Sequence, residues 1–385
     1  MQYRSFGGTG YKVSALGLGC MRLPFVDEED RTKGVDREKA YELIRYAADN
    51  GVNYFDTAFS YHAKDSEAVL GEALAEKGRR QDAIITTKLP FSAMAKQKHI
   101  RENLEDTLKK LRTDYIDFYL VHCIMEFNWE GIKRRKIFEE FEKFKAEGLI
   151  KHIGFSYHGK FPLFKEVLES YPWEMCLIQQ NILDTNREVT EQGIYAAHKK
   201  GIAISIMEPL RGGGLCRAPK GVAALYDNFT VKRTPTEWAF RHLVNYPEVE
   251  NIVSGMTTLD QLKENIGLFN QPDMIPGCLD PDEKSLINAA REAYDSIVSI
   301  PCTGCDYCVP CPQKVDIPGI FDKYNEGNRF EFFDQARRSY MFTRRARAGA
   351  SGCNNCGKCK PKCPQEIDIP KALEVAHKEL DGWEE

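Results

Sequence analysis

The sequence predicts an α/β fold: a TIM (β/α)8 barrel followed by a small helical domain organised around cysteines. Three observations point there. From residue 12 to about residue 256, eight short β-type runs alternate with charge-rich helical stretches. Past residue 280 the strand signals stop. Eight of the 13 cysteines fall between Cys302 and Cys363. Strands alternating with helices build a parallel sheet through crossover connections, and eight such units in about 250 residues is the count of a closed barrel.

The strands are expected at 13–19 (VSALGLG), 53–58 (NYFDTA), 83–89 (AIITTKL) and 115–122 (YIDFYLVH). They continue at 150–156 (IKHIGFS), 175–181 (MCLIQQN), 202–210 (IAISIMEPL) and 251–256 (NIVSGM). Every run contains at least one β-branched or aromatic residue, and all are short. Between them, Asp36–Asn50 and Ile100–Leu111 repeat apolar residues at helical spacing. A doubly wound sheet is the competing architecture, but no GxGxxG follows the first strand, where Gly17-Leu18-Gly19 leads to Arg22.

Asp280–Ser299 reads as a helix, after which cysteine motif and helical stretch alternate twice. A direct repeat marks the unit: Cys311-Pro-Gln-Lys-Val-Asp-Ile-Pro recurs as Cys363-Pro-Gln-Glu-Ile-Asp-Ile-Pro. The proline suits the first turn of a helix after each copy. The expected domains are residues 1–294 for the barrel and 295–385 for the helical part.

Lys+Arg 53 against Asp+Glu 57 gives a formal charge of −4, which argues against a nucleic-acid partner. No apolar run approaches the roughly 18–20 residues of a membrane span, and the polar start MQYRSFGGTG is unlike a signal peptide. A cytoplasmic protein without membrane association is expected. Thiols there stay reduced, and grouped ones bind metal rather than pair.

The second motif, Cys353-x2-Cys356-x2-Cys359-x3-Cys363-Pro364, has the spacing of bacterial [4Fe–4S] centres. The first, Cys302-x2-Cys305-x2-Cys308-x2-Cys311-Pro312, is one residue shorter before its last cysteine. In two-cluster ferredoxins the fourth cysteine of each motif serves the other cluster. Cys302, Cys305 and Cys308 would then share one cluster with Cys363, and Cys353, Cys356 and Cys359 the other with Cys311. The short gap suits that crossing, because Cys311 need not close on its own loop. Structural zinc also uses Cys-x2-Cys pairs, but a third cysteine at the same spacing is surplus to it.

Barrel chemistry sits at the C-terminal ends of the strands. Asp56, Tyr61, Lys88 and His122 stand at or just past three consecutive ends. Singly, each has an ordinary reading as a cap, a packed ring, a solvated cation or a core histidine; four at one mouth suggest a site. The stretch Phe55-Asp-Thr-Ala-Phe-Ser-Tyr61, then Ser66-Glu67 and Leu70-Gly71, resembles the signature of the aldo-keto reductases. Thr87-Lys88 and Tyr119-Leu-Val-His122 resemble that family's lysine and histidine segments, and the likeness runs from residue 1 to about 270. With its cysteine-rich extension the chain is similar to the subgroup carrying a C-terminal ferredoxin-type domain.

The resemblance implies a carbonyl reductase using NAD(P)H and two [4Fe–4S] clusters. Tyr61 would be the general acid, Lys88 the cation that tunes it, Asp56 the anion holding Lys88, and His122 the group orienting a small-molecule carbonyl. Ser156 sits where the family binds the nicotinamide carboxamide, and Tyr157 replaces its usual asparagine. Gln179 is the nearest candidate for the glutamine of strand six, with Leu177 as its competitor. Met207 replaces the stacking aromatic. Leu210 and Gly212, in Leu-Arg-Gly-Gly-Gly, would offer backbone N–H groups to a pyrophosphate. Glu264 and Asn265 survive from the motif after strand eight. The lysine, serine and arginine that would grip a 2′-phosphate read Gly255, Met256 and Gln261 instead, so no NADP preference is expected.

Nicotinamide passes two electrons as hydride and a [4Fe–4S] centre passes one, and no flavin motif is legible to join them, although a barrel can hold FMN unannounced. Three readings follow: a nicotinamide-dependent reductase with structural, redox-sensing or electron-transferring clusters; a reductase fed through its clusters by ferredoxin or another carrier; and a non-catalytic redox sensor or scaffold. The intact tetrad favours the first. The basic run Arg337, Arg338, Arg344, Arg345, Arg347 reads as a solvated face or a docking patch for an acidic carrier.

Overall fold

Eight parallel strands close on themselves, each hydrogen-bonded to the next in chain order and the last to the first. The computed structural model describes residues 1–28, 30–185 and 188–381. The barrel strands are β3 (Leu16–Gly19), β4 (Tyr54–Asp56), β5 (Ile84–Leu89), β6 (Ile116–Ile124), β7 (Ile150–Tyr157), β8 (Met175–Gln179), β9 (Ala203–Met207) and β10 (Asn251–Ser254). Each falls within or overlaps an expected run. The first run differs: it breaks at Ala15, and Lys12–Ser14 (β2) pairs antiparallel with Tyr3–Ser5 (β1). A run of seven residues was therefore hairpin arm plus barrel strand, which periodicity alone cannot separate.

That hairpin closes one end of the barrel. Phe6 and Val13 join Tyr54, Ile84, Phe118, Met175 and Ala203 in one buried cluster. Ile84, Met175 and Ala203 open their strands, so the plug sits at the N-terminal end. Phe6 meets the rings of Phe118 and Tyr54 edge-on at centroid distances of 5.1 and 5.6 Å, a burial worth about 1.5–3 kcal/mol. With this floor filled by hydrocarbon, the opposite, C-terminal mouth is left for polar groups.

The helix Ser66–Ala75 packs on the helix Gln97–Leu111 through Gly71, where an added Cβ would stand 2.4 Å from Lys110 O. Glu67 beside it is fully buried and accepts hydrogen bonds from Thr87 Oγ1 at 2.7 Å and Thr107 Oγ1 at 3.2 Å. Signature positions Glu67 and Gly71 thus clamp that helix to β5 and to its neighbouring helix.

The chain divides into two compact units: Met1–Pro209 with Ala239–Asp280, and Leu210–Trp238 with Pro281 onward. The second contains the helices Lys220–Asn228, Pro281–Ser296, Ile317–Arg329, Asp334–Arg345 and Ile369–Leu380. Its core includes Ile317, Ile320, Phe321, Tyr340, Ile369, Leu373 and Leu380, with six cysteines packed against it. The repeated octapeptide builds two like helix starts, at Ile317 and Ile369, each with proline in the first turn. Asp316 caps the first by accepting from Gly319 N, whereas Asp368 pairs with Lys360 at 2.9 Å. Among the described residues no helix is long and apolar enough to cross a membrane.

Candidate functional site

At the barrel mouth, Lys88 is buried at 1% exposure inside β5. An ammonium has three donors, and all three are used. Nζ donates to Asp56 Oδ1 at 2.7 Å, to Thr57 O at 2.7 Å and to Tyr61 Oη at 3.4 Å. Burial lowers the Lys88 pKa, but the Asp56 carboxylate and the Tyr61 oxygen outweigh it, and the net direction is upward. Lys88 therefore stays a cation. Asp56 is 4% exposed, and its second oxygen has no hydrogen-bond partner among the described residues. Burial raises the Tyr61 phenol pKa while the charge of Lys88 lowers it, the net direction being upward. A protonated phenol thus faces the mouth at neutral pH.

His122 lies near the end of β6, its ring edge-on to that of Tyr61 at 6.1 Å. Burial, then the charges of Lys88 and His158, push its pKa down to about 3. The imidazole is neutral at physiological pH and has one N–H to donate. Sequence reading passed over Cys20, a buried thiol raised by burial and by the charge of Asp56, and Thr57, whose carbonyl accepts one hydrogen bond from Lys88. Neither announces itself, since a small thiol and a main-chain oxygen carry no pattern.

Left-handed backbone occurs just past three of these strand ends, as it does elsewhere in the chain. His62, Ala63 and Lys64 follow Tyr61 with φ of 49°, 52° and 79°, Cys123 follows His122 at 58°, and Glu208 follows Met207 at 54°. Non-glycine residues avoid this region, and such outliers concentrate where a site dictates side-chain direction.

In the second unit the eight motif cysteines surround two cavities. One is lined by Cys302, Cys305, Cys308 and Cys363. The other, of about 380 Å³, is lined by Cys353, Cys356, Cys359 and Cys311, with Cys308 on the wall between. Burial raises the thiols of Cys302 and Cys359. The charges that add to it come from Cys305, Cys363 and Asp322 for Cys302, and from Cys353, Cys311 and Cys356 for Cys359. Each fourth cysteine therefore neighbours the other motif's triplet. Among the described residues no three His, Cys, Asp or Glu converge as a single ion requires.

Comparison with known proteins adds to this geometry. Residues 15–223, more than half of the chain, match the profile of the Aldo/keto reductase family, and residues 301–369 match the 4Fe-4S dicluster domain. The chain belongs to the aldo/keto reductase family. This aldo/keto reductase is 26% identical over 306 residues to the uncharacterized oxidoreductase YqkF of Bacillus subtilis, spanning 70% of this chain and 92% of the relative. Among solved structures it is similar to the aldo-keto reductase AKR11C1 from Bacillus halodurans, holo form, with TM-score 0.61 and 27% identity over 75% of this chain and 96% of that one. An aldo/keto reductase from Klebsiella pneumoniae in complex with NADP and acetate shares the fold at TM-score 0.58 and 18% identity, covering 73% of this chain and 93% of that one.

The positions suggested for a nicotinamide in this aldo/keto reductase fall into three groups. Ser156 ends up on β7, 1% exposed, with Oγ accepting from Cys123 N at 2.7 Å. Gln179 is opposite Met207 in the register of β8 and β9, one layer above Leu177, which is buried in the barrel core. Gln179, not Leu177, is thus at the mouth, where its Nε2 donates to Asp184 Oδ2 at 3.0 Å. Glu264 is exposed and Asn265 buried on the helix Leu259–Phe269. Leu210 and Gly212 belong to the second unit. There Arg211 Nε donates to Glu326 Oε1 at 2.9 Å, and a Cβ at Gly212 would meet Gln335 Oε1 at 1.7 Å. The close approach that glycine allows is used by Gln335.

Proposed function

We propose that this aldo/keto reductase is a nicotinamide-dependent oxidoreductase that interconverts a small carbonyl compound and its alcohol. The observation that carries the reading is the Asp56–Lys88–Tyr61 chain, with every donor of a buried ammonium committed. A nicotinamide cofactor, when bound, supplies the hydride. Tyr61 gives its proton to the carbonyl oxygen as negative charge develops there, and Lys88 stabilises the phenolate left behind. Asp56 keeps Lys88 charged and pointed at the phenol. The neutral His122 donates one hydrogen bond that aligns the carbonyl. Ser156 and Gln179 suit a carboxamide, since the hydroxyl keeps its O–H donor and the amide keeps its second N–H and its oxygen, and Met207 offers an apolar face beside them.

The second unit is proposed to hold two [4Fe–4S] clusters, one on Cys302, Cys305, Cys308 and Cys363, the other on Cys353, Cys356, Cys359 and Cys311. Two neighbouring cavities, one lined by Cys302, Cys305, Cys308 and Cys363 and the other by Cys311, Cys353, Cys356 and Cys359 with Cys308 on the wall between, support clusters at these positions. The clusters, when bound, store and pass single electrons. Cys305 and Cys356 are exposed, which favours exchange with an external one-electron carrier.

The test is oxidation of NADH and NADPH by a panel of aldehydes and ketones, using anaerobically purified protein. Tyr61→Phe should cost turnover about 10²–10⁴-fold and leave cofactor binding nearly unchanged. A variant that keeps most of the wild-type rate would remove Tyr61 from the mechanism.

A further inference from the structure

The two cysteine sites of the second unit can be compared like with like. Each four-cysteine set has one exposed member, Cys305 in the first and Cys356 in the second, and three of intermediate exposure. Each set ends in the same turn, where a main-chain N–H three residues on returns to the carbonyl of the fourth cysteine. Lys314 N donates to Cys311 O at 2.9 Å, and Glu366 N to Cys363 O at 3.1 Å. Both turn residues are left-handed, with φ of 60° and 53°. Ligand type, exposure and this turn are matched. Among the factors that set the potential of such a centre, nearby charge is where the two sites part.

The charged residues sort by site. Lys358 and Lys362 line the second cavity, with no acidic residue in its wall among the described residues. Asp306 lines the first, with no basic residue in its wall. The motifs encode this difference. Gly357-Lys358 follows Cys356 where Asp306-Tyr307 follows Cys305, and Lys362 belongs to the gap that the first motif shortens to Val309-Pro310. Lys362 precedes Cys363 in the chain, yet it lines the second cavity and not the first. Past the fourth cysteine, Lys314 follows the second site's Cys311 and Glu366 follows the first site's Cys363. Asp322, on the helix Ile317–Arg329, adds its negative charge at Cys302. Lys360 is offset by Asp368, its ion-pair partner at 2.9 Å. An added electron makes a cluster more negative, so cations beside it favour the reduced form and carboxylates oppose it.

We propose that the two cluster sites are electrically ordered: Lys314, Lys358 and Lys362 make the site closed by Cys311 the first to take an electron, and Asp306, Asp322 and Glu366 hold the site closed by Cys363 at lower potential. This rests on the two-cluster reading above. Each uptake moves one electron from an external one-electron reductant to a cluster, with no proton or bond transferred. Cys308 stands on the wall between the cavities, so the sites are neighbours. Repulsion between them delays the second electron without changing which site receives the first.

The test is an anaerobic redox titration of the full chain loaded to about eight iron, followed by the electron paramagnetic resonance of the reduced clusters. Wild type should show two one-electron steps. Lys358→Gln with Lys362→Gln should lower the reduction equilibrium of the higher step about tenfold, or about 59 mV for one electron, and move the lower step less. Asp306→Asn with Glu366→Gln should raise the lower step by a similar factor. Lys358→Arg with Lys362→Arg keeps the charge and should leave both midpoints in place, and added salt should narrow the wild-type gap. A single shared midpoint in wild type would overturn the ordering while leaving the clusters in place. So would a lysine-to-glutamine variant that moves the lower step at least as far as the higher one, or moves neither. A chain that takes up no iron and sulfide would overturn the cluster reading as well.

Discussion

Replacing Lys88 by methionine probes the centre of the proposed site, because the structure sets two separable consequences. The ammonium balances a carboxylate that is 4% exposed and whose other oxygen has no partner among the described residues. Removing one member of a buried ion pair costs about 3–5 kcal/mol, since the other charge stays buried unmatched. At roughly 2–4 °C per kcal/mol for a unit of this size, anaerobic circular-dichroism melts should fall by about 6–20 °C. Turnover should fall by about 10²–10⁴-fold, because Tyr61 loses the cation that stabilises its phenolate. The double variant Asp56→Asn with Lys88→Met removes the orphaned charge and should regain at least about 2 kcal/mol of the loss, with no recovery of turnover. Stability and activity would thus separate in one cycle. If the double variant melts no higher than the single one, the Asp56 charge is not what Lys88 balances. If the single variant keeps a tenth of the wild-type rate, Lys88 does not tune the acid.

Three further outcomes are expected. Cys363→Ala should lower iron from about eight to about four per chain, and the cysteines newly open to alkylation should be Cys302, Cys305 and Cys308, as mass spectrometry of the anaerobic protein would record; exposure of Cys353, Cys356 and Cys359 instead would mean that each motif closes on its own fourth cysteine. The rate of carbonyl reduction should be flat from about pH 5 to pH 9, because a phenol raised from its usual range stays protonated there and an imidazole lowered to about 3 stays neutral; an acid limb that His122→Gln abolishes would show that the histidine works as a cation. Gly71→Ala should cost about 1–3 kcal/mol, since the added methyl meets main-chain atoms that cannot rotate aside, and urea titration giving an unchanged midpoint would refute the clamp.

Much of this was legible in the chain itself. Strand runs, crossover helices and the Cys-x2-Cys ladders are local: each depends on residues a few positions apart, and backbone geometry maps such spacing directly onto a face or a loop. The candidate site was legible as residue types at consecutive strand ends, Asp56, Tyr61, Lys88 and His122, because a closed parallel barrel sends all those ends to one mouth. What stayed hidden involves partners far apart in sequence, whose meeting is set by closure and packing. The hairpin pairing of Tyr3–Ser5 with Lys12–Ser14 split a run that looked continuous. The choice of Gln179 over Leu177 needed the register against β9. Gly212 read as an open phosphate cradle, and only packing within the second unit revealed Gln335 in the space above it. Gly255 read as a lost lysine, until closure of β3 against β10 laid the stem of Arg22 across it. Sequence spacing determined which chemistry the chain carries, and barrel closure decided which atoms share a site, because contacts between distant residues are paid for by the whole core rather than by any local pattern.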